Sequence, residues 1–407
     1  MELEIIIDFN ETENGSLTGL IDIPLQQAID LPLINIQLKA NSISFEIQDV
    51  PGSPKFDGNI SEDGNTISGD FTQSGQNFTF NMTKKSLEKV LLEEQAQEGC
   101  LNKIRTFIDS TMKIWKVPGV AIAVVKGGEV ILSEGFGLRN VQDSLPVTSK
   151  TIFAIGSSTK AFTALSVGLL VDEGIVDWNE PVKTYLPTFK LYDEYATTHM
   201  TPKDLLTHRS GLPRHDLMWY GSPFTREEIF NRLQYLEPNK DFRYAWQYQN
   251  LMFMTAGYIV GKMKDCSWEE FVNESIFTPL GMTNSNFSVL ESQETDDHAL
   301  PYKKKDEEIK EMSFRDISNI GPAGSINSNV TDMAKWIQLH LNDGKVGETQ
   351  IISESALQEI LSPQIIVTRA SEYPELSYTS YCLGWMIQIY HGHKLIQHGG
   401  NIDGFSA

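Results

Sequence analysis

The sequence of 407 residues is long enough for two domains, and its composition is that of a folded protein. Hydrophobic residues make up 40% of the chain and aromatic residues 10%, which excludes a disordered chain. Lys and Arg total 33 against 54 for Asp and Glu, a net charge of −21. A surface of that sign repels phosphate backbones and anionic lipids, so neither nucleic acid nor a membrane surface is expected as a partner.

The cysteines and the apolar runs bear on redox state and location. Cys100, Cys266 and Cys382 are too few and too widely spaced for a disulfide framework or a zinc site. No apolar run reaches the ~20 residues of a membrane-spanning helix, and the first residues lack the basic patch and apolar stretch of a signal peptide. As written, the sequence predicts a cytoplasmic protein, and export stays open if the N-terminus is truncated. The sequence predicts no oligomeric state.

Residues 1–85 alternate apolar and polar side chains with a period of two, as half-buried strands do. Leu3, Ile5, Ile7 and Phe9 form one such set, and further sets follow up to residue 82. Turn pairs such as Asp63-Gly64 separate the later sets. We therefore predict an all-β accessory domain over 1–85, a meander or a small sandwich without a catalytic set of residues.

A charged stretch over 86–99 favours helix and is predicted to be a linker. The main domain is then expected over 100–407. It begins with an amphipathic helix from Leu101 to Trp115, which ends before Pro118-Gly119. Residues 120–125 read as a buried strand, and Gly127-Gly128 turns the chain into a second strand over 130–136.

Helical patterns dominate the middle of the chain. Thr225 with Glu228 and Ser267 with Glu270 form capping boxes, and 330–341 reads as a further helix. Strands return over 383–389 and 395–397. Strands at both ends with helices between them predict an α+β fold, an antiparallel sheet flanked by helices with a mostly helical insert.

The most specific chemical signal is Ser157-Ser158-Thr159-Lys160, which follows Gly156 and leads into an apolar helix over 161–171. Residues at i and i+3 share a helix face, so Ser157 and Lys160 are predicted to be neighbours. A hydroxyl beside an amine can lose its proton and attack a carbonyl carbon. Helix capping by Ser157 is the simpler alternative for an isolated motif of this kind.

Two further motifs follow, Tyr248-Gln249-Asn250 before an apolar helix and His398-Gly399-Gly400 after a late strand. In this order and spacing the three motifs resemble those of the serine β-lactamase and penicillin-binding-protein superfamily, in its class C-like branch of esterases, D-amino-acid peptidases and β-lactamases. The resemblance covers about residues 100–407, and four flanking stretches support it: 117–121, 205–212, 279–282 and 322–325. It implies a β-lactamase/transpeptidase-like fold and no cofactor.

The resemblance also implies roles for individual residues. Ser157 would be the nucleophile that forms an acyl-enzyme, and Lys160 would accept its proton. Tyr248 would share that task or pass the proton to the leaving group, although a core tyrosine is the simpler alternative. Asn250 would hold Lys160 and the substrate amide. The backbone N–H groups of Ser157 and Asn401 would form the oxyanion hole.

His398 stands where the β-lactamases have a lysine. A histidine with a pKa near ~6.5 is mostly neutral at pH 7, so carboxylate-bearing β-lactams should bind less well. Gly399 and Gly400 would let a substrate backbone lie along the strand. We therefore expect a serine hydrolase acting on a small ester, amide or peptide, an esterase or a D-amino-acid-type peptidase.

The motifs are compatible with other functions as well. A β-lactamase or transpeptidase and a non-catalytic binding or sensor protein both stay open. A metal site at His391, His393 and His398 is not expected, because an odd residue spacing places His398 on the opposite strand face. In this family further strands and a C-terminal helix follow the third motif, so the resemblance predicts that the domain is incomplete at Ala407.

Overall fold

A computed structural model describes residues 5–12, 16–23, 28–84, 87–368 and 373–407, with the side chains of 87–94 left out. The chain divides into two compact units, with the division after Ile104. The domain boundaries expected from the sequence stay predictions. Among the described residues, no helix has the length and apolar character needed to span a bilayer.

The N-terminal unit is a seven-stranded antiparallel meander in which each strand pairs with the next one along the chain. The predicted all-β region is confirmed as a meander, and Leu3 lies outside the described residues. Phe45 is at the centre of its core, stacked on Phe56 with ring centroids 4.8 Å apart. The strands are β1 Ile6–Glu11, β2 Leu17–Ile23, β3 Ala28–Lys39, β4 Ser42–Ile47, β5 Lys55–Ile60, β6 Thr66–Gln73 and β7 Gln76–Thr83.

The predicted linker over 86–99 is helical from Leu87 onward. Helix α1 runs without a break over Leu87–Trp115 and so includes the amphipathic segment predicted from Leu101. Glu, Gln, Leu and Lys dominate the linker stretch, and these residues have high helix propensity, so the helix continues through it. Residues 85 and 86 lie outside the described part of the chain.

The strands of the second unit are short, apart from one hairpin. The described residues place them in a three-stranded sheet β10-β9-β8, a four-stranded sheet β17-β18-β19-β20 and four two-stranded pairs. They are β8 Gly119–Lys126, β9 Glu129–Asn140, β10 Leu145–Pro146, β11 Phe153–Ala154, β12 Tyr302–Lys305, β13 Glu308–Glu311, β14 Asn327–Ser328, β15 Lys345–Val346, β16 Thr349–Gln350, β17 Ile365–Ile366, β18 Leu376–Tyr381, β19 Met386–Tyr390, β20 His393–Gln397, β21 Asn401–Ile402 and β22 Phe405–Ser406.

The α+β fold class is confirmed, and the strands expected in one sheet are divided between two. Among the described strands, β20 pairs with β19 alone, and after Gln397 the chain continues into the β21–β22 hairpin. A groove lined by residues 117–121 and 404–407 borders β8 on that side. Each of the two sheets is antiparallel.

Helices supply most of the core of the second unit. They are α2 Thr159–Asp172, α3 Val182–Tyr185, α4 Glu194–His199, α5 Pro202–Leu205, α6 Arg226–Arg232, α7 Asn250–Lys264, α8 Trp268–Val272, α9 Thr278–Leu280, α10 Val289–Gln293, α11 Val330–Leu341 and α12 Glu354–Ile360. Short 3-10 turns lie at Gly156–Ser158, Asp216–Met218, Leu233–Tyr235 and Ser318–Ala323, and a π-turn lies at Asn273–Phe277.

Local sequence signals set several of these boundaries. Both predicted capping boxes form, at Thr225 with Glu228 and at Ser267 with Glu270. Helices α2 and α7 are apolar along almost their whole length and belong to one hydrophobic cluster. They bring the ends that carry the serine–lysine and tyrosine motifs together.

Candidate active site

Ser157 and Lys160 lie on one side of the helix that starts at Gly156, and their side chains are in contact. Gly156 has a left-handed φ of 50°, and the turn it opens continues directly into α2. A Cβ at this position would come within 2.8 Å of the Asn401 nitrogen, so the close approach requires glycine. Lys160 Nζ lies 3.1 Å from Ser157 Oγ. The predicted neighbouring pair is therefore formed.

Lys160 is completely buried, and no ion pair between described residues includes it. Its Nζ donates to the Ala323 carbonyl oxygen over 2.6 Å and lies 4.7 Å from the centre of the Tyr248 ring. Burial, followed by the charge of Arg214, holds the pKa of Lys160 well below its usual 10.5, and Asp216 acts in the opposite direction. A neutral amine can accept the proton of Ser157.

Tyr248 lies just before α7, beside Ser157 and Lys160. Burial raises the pKa of Tyr248 to about 12, although its hydrogen bond with Ser157 and the charge of Arg214 lower that pKa. The Arg214 guanidinium lies 5.1 Å above the Tyr248 ring centre. The phenol therefore keeps its proton near neutral pH and can donate it to a leaving group.

Asn250 is the first residue of α7 and is 6% exposed. Its Oδ1 atom makes no hydrogen bond with Lys160, whose amine donates to the Ala323 carbonyl. The Asn250 Oδ1 atom is buried and has no hydrogen-bond partner in the described part of the chain. An unpaired buried acceptor is costly, so this oxygen is suited to receive an N–H group from a bound amide.

The third motif follows β20 and is tied to the start of α2. Ser158 Oγ donates to the His398 carbonyl oxygen over 3.0 Å, which joins the two segments. The His398 ring has a partner at both nitrogens, the Tyr381 phenol at Nε2 over 2.9 Å and the Gly399 carbonyl at Nδ1 over 2.7 Å. Burial and the charge of Lys160 lower the pKa of His398 to about 3. The ring is therefore uncharged at neutral pH.

The segments that carry the Ser157 and Asn401 backbone N–H groups approach each other closely. Gly400 and Ala407 exchange both backbone hydrogen bonds, each 2.8 Å long. Pairing alternates along antiparallel strands, so the Asn401 N–H points away from β22. The Ser157 N–H belongs to the first helical turn, where intrahelical acceptors are lacking. A Cβ on Gly400 would lie 2.8 Å from the Ser157 nitrogen, which shows how closely the two segments approach.

The sequence did not assign four groups that the structure brings to the site: the Ala323 carbonyl, Arg214, His208 and Tyr381. Ala323 and His208 lie in stretches that supported the resemblance, but those stretches carry no sign of a contact with Lys160 or His398. Arg214 is held beside the site by Asp216, whose Oδ2 is 2.7 Å from the arginine Nε. The contacts of Lys160 with Ala323 and of His208 with Tyr381 join residues far apart in the chain.

The histidines of the late strands do not form a metal cluster. Within the part of the chain that the structure describes, no three His, Cys, Asp or Glu side chains are close enough to hold a metal ion. His391 and His393 border the turn between β19 and β20, where His391 has a φ of 46° and Gly392 one of 82°. The His398 ring instead contacts Tyr381.

Comparison with known proteins connects this geometry to a family. A family model described as beta-lactamase matches residues 104–407. The chain is 30% identical over 312 residues to an unguisins hydrolase of Aspergillus campestris, a match that covers 74% of this chain and 57% of that protein. The chain thus spans little more than half the length of this relative.

Solved structures of similar fold come from related proteins. An octameric penicillin-binding protein homologue from Pyrococcus abyssi is 29% identical with a TM-score of 0.63, over 75% of this chain and 69% of that one. A D-amino acid amidase from Ochrobactrum anthropi SV3 is 26% identical with a TM-score of 0.56, over 71% and 82%. The family match covers well over half of the sequence, and the chain belongs to the beta-lactamase family.

Proposed function

We propose that the chain is a serine hydrolase that forms an acyl-enzyme on Ser157 and cleaves small esters or amides, with D-amino-acid amides and peptides as the favoured substrate class. The observation that carries the proposal is the buried Lys160 amine, which lies 3.1 Å from Ser157 Oγ, belongs to no ion pair between described residues and has a pKa held well below 10.5. A lysine in that state serves as a base, which a structural lysine would not.

In the first step Ser157 Oγ attacks the substrate carbonyl carbon and its proton moves to Lys160 Nζ. The carbonyl oxygen becomes an oxyanion, and the N–H groups of Ser157 and Asn401 stabilise it. The substrate amide N–H donates to Asn250 Oδ1. Hydrogen bonding at a fixed oxyanion site contributes a factor of about 10²–10³ per donor.

In the second step the carbon–leaving-group bond breaks, and the leaving group takes a proton. Tyr248 supplies that proton from its phenol and regains one from the Lys160 ammonium, so both return to their starting forms. Water then attacks the acyl-enzyme with Lys160 as base, and the Ser157 oxygen leaves as a hydroxyl. Each step balances without a metal or a redox partner.

Two observations support the substrate class. The neutral His398 ring offers no cation for the carboxylate of a β-lactam, in contrast with a lysine at the same position. The chain resembles a D-amino acid amidase and a hydrolase named for unguisins. An uncharged carbonyl compound of amide or ester type fits the site better than a carboxylate-bearing lactam.

Hydrolysis of a short-chain p-nitrophenyl ester and of a D-amino-acid p-nitroanilide tests the proposal. Ser157→Ala should reduce kcat/KM by about 10⁴-fold or more. Ser166→Ala is the matched control, since Ser166 lies on the same helix, is buried, and bonds only the Phe162 carbonyl. Equal turnover in the two variants would refute the assignment of the nucleophile.

The β-lactamase and sensor alternatives give different results with a chromogenic cephalosporin. We expect weak turnover of the cephalosporin relative to the ester, and His398→Lys should shift the ratio toward the cephalosporin. Rapid cephalosporin hydrolysis by the unmodified chain would favour a β-lactamase. A covalent adduct that persists for hours in mass spectra would favour a sensor protein.

A further inference from the structure

Tyr381 borders the candidate site, and the reaction proposed above gives it no role. It is the last residue of β18 and is completely buried. Its phenol oxygen lies 3.1 Å from His208 Nε2 and 2.9 Å from His398 Nε2. Two imidazole rings therefore share one hydroxyl group in the interior of the second unit.

The donor and acceptor in each of these hydrogen bonds can be assigned, starting from the backbone N–H of Gln249. The backbone N–H of Gln249 donates to His208 Nδ1 over 2.9 Å, so that nitrogen is an acceptor. A neutral imidazole has one acceptor and one donor, so His208 Nε2–H donates to the Tyr381 oxygen. The Tyr381 O–H then donates to His398 Nε2, and His398 Nδ1–H donates to the Gly399 carbonyl over 2.7 Å.

The backbone at His208 is held in an uncommon conformation. Its φ of 58° is left-handed, a conformation that non-glycine residues rarely adopt. The ring is enclosed by aromatic side chains, with centroids 4.3 Å from Tyr248, 4.6 Å from Tyr381 and 5.0 Å from Phe253. The surroundings therefore fix the position of the His208 ring against both Tyr248 and Tyr381.

The charged and titratable groups around the two rings favour their neutral forms. Lys160 on α2 acts on both rings, and Arg214 acts on His208 as well. Burial is the largest cause that lowers the pKa of each histidine. Tyr381, whose pKa burial raises well above 10, stays a phenol. A protonated His208 would also place a second donor against the Gln249 N–H.

We propose that Tyr381 and His208 are positioning residues that hold His398 as a neutral imidazole with its proton on Nδ1. We name the chain from the Gln249 N–H through His208, Tyr381 and His398 to the Gly399 carbonyl the Tyr381 relay. The relay joins the segment that carries Tyr248 to the segment that carries Gly399, Gly400 and Asn401. It thereby sets the Asn401 N–H opposite Ser157.

The relay also limits how His398 can interact with a substrate. Both of its ring nitrogens are occupied by protein groups, so the ring offers neither a charge nor a free acceptor to a substrate. The third motif then recognises substrates through its backbone, which suits uncharged esters and amides. This consequence rests on the proposed function, whereas the bond directions do not.

The first test is the protonation state of the histidine rings, read from ¹⁵N NMR of the full chain labelled in histidine. His398 should show its proton on Nδ1 and His208 on Nε2, and neither ring should titrate between pH 5 and 8. Tyr381→Phe removes the donor to the neutral ring of His398, so the pKa of His398 should rise. Tyr378→Phe on the same strand is the matched control, because Tyr378 is 88% exposed.

The second test is ester hydrolysis by the same variants. Tyr381→Phe should lower kcat by about 10- to 100-fold with KM little changed, because displacement of the oxyanion site affects the transition state. His208→Gln retains an N–H that can donate to Tyr381 and should keep more activity than His208→Leu. If Tyr381→Phe does not fold, this His208 pair carries the test.

The two proposals fail separately. A proton on His398 Nε2, or a titration of His398 near pH 6.5 in the unmodified chain, would overturn the relay even if Ser157→Ala is inactive. The relay would also be overturned if Tyr381→Phe had the same kcat as the original protein and the same His398 tautomer. Absence of hydrolysis by the unmodified chain would overturn the proposed function, and the tautomers would still decide the relay.

Discussion

The two units of the molecule are built on different principles. The core of the N-terminal unit contains apolar side chains such as Ile21 and Phe45. In the described residues, every buried polar or charged side chain belongs to the second unit, among them Lys160, Asp204 and His208. A buried polar group destabilises the fold unless it is hydrogen-bonded.

The difference supports the second unit as the region that carries the proposed function. The polar groups buried around Ser157 have specific partners, as in the contact of Lys160 with the Ala323 carbonyl and in the Tyr381 relay. Asp204 is a structural case, paired with Arg209 and Arg243 at 2.5 Å and 2.6 Å. All seven tryptophans lie after residue 104, so tryptophan fluorescence reports on the second unit alone.

After Ser157→Ala, the largest effect on hydrolysis is expected from Lys160→Met, which removes the base and fills a similar volume. Hydrolysis should fall by about 10³-fold or more. The free energy of unfolding should rise by about 1 kcal/mol, because an apolar side chain replaces a buried amine. Denaturation followed by tryptophan fluorescence, together with ester kinetics, measures both.

The pH dependence of that gain follows from the lowered pKa of Lys160. Between its folded-state pKa and about 10.5, the unfolded chain binds a proton that the folded chain does not, so the original protein gains stability as pH rises. The advantage of Lys160→Met should therefore shrink from pH 6 to pH 10. A lower stability of Lys160→Met across this range would contradict the account.

Gly400→Ala tests the close contact between the third motif and the start of α2. A Cβ there would lie 1.8 Å from the Ile155 carbonyl oxygen, and backbone cannot move aside cheaply. We expect a loss of about 4 kcal/mol in the second unit together with loss of hydrolysis. Gly399→Ala is the control, since its Cβ would meet only the Ala407 oxygen at 3.3 Å. Comparable stability of the two variants would be inconsistent with this packing.

Phe45→Ala addresses the apolar unit. Removing this central ring should cost about 3 kcal/mol, seen as an earlier transition in far-ultraviolet circular dichroism. Tryptophan fluorescence and ester hydrolysis should not change, because Ser157 and its partners all belong to the second unit. Phe78→Ala, at a half-exposed ring, should have little effect. A matching shift in the fluorescence transition would show that the units do not unfold separately.

The smallest effect is expected at His340, whose ring packs against Trp336 and Trp385. Burial lowers the pKa of His340 to about 4, so the unfolded chain binds a proton between pH 6.5 and 4 that the folded chain does not. The stability of the second unit should therefore fall over that range as the pH decreases, by about 2 kcal/mol from this residue. His340→Gln should flatten this pH dependence, which denaturation followed by tryptophan fluorescence at several pH values measures.

Much of the local structure could be predicted because its causes lie close together in the sequence. The capping boxes at Thr225 and Ser267, the hairpin turn at Gly127-Gly128 and the helix over Val330–Leu341 follow from neighbouring residues. Ser157 and Lys160 also belong to this class, since three residues on a helix place them side by side. The composition of 86–99 favoured helix, but no local signal showed that this helix continues without a break into the one predicted from Leu101.

The remaining features depend on contacts between distant segments. The Ala323 carbonyl that holds Lys160 is 163 residues away from it, and His208 is 173 residues from Tyr381. No periodicity or short motif specifies such a pair. Asn250 illustrates the limit, because the motif predicted a contact with Lys160 that the backbone at Ala323 provides instead.

The central claim is that the neutral Lys160 amine makes the Ser157 hydroxyl nucleophilic, and labelling with a fluorophosphonate probe tests it most directly. After digestion, peptide mapping should find the adduct on Ser157, with no labelling of Ser157→Ala, much slower labelling of Lys160→Met and unchanged labelling of Ser166→Ala. An adduct on a different serine, or a labelling rate that Lys160→Met leaves unchanged, would contradict the account.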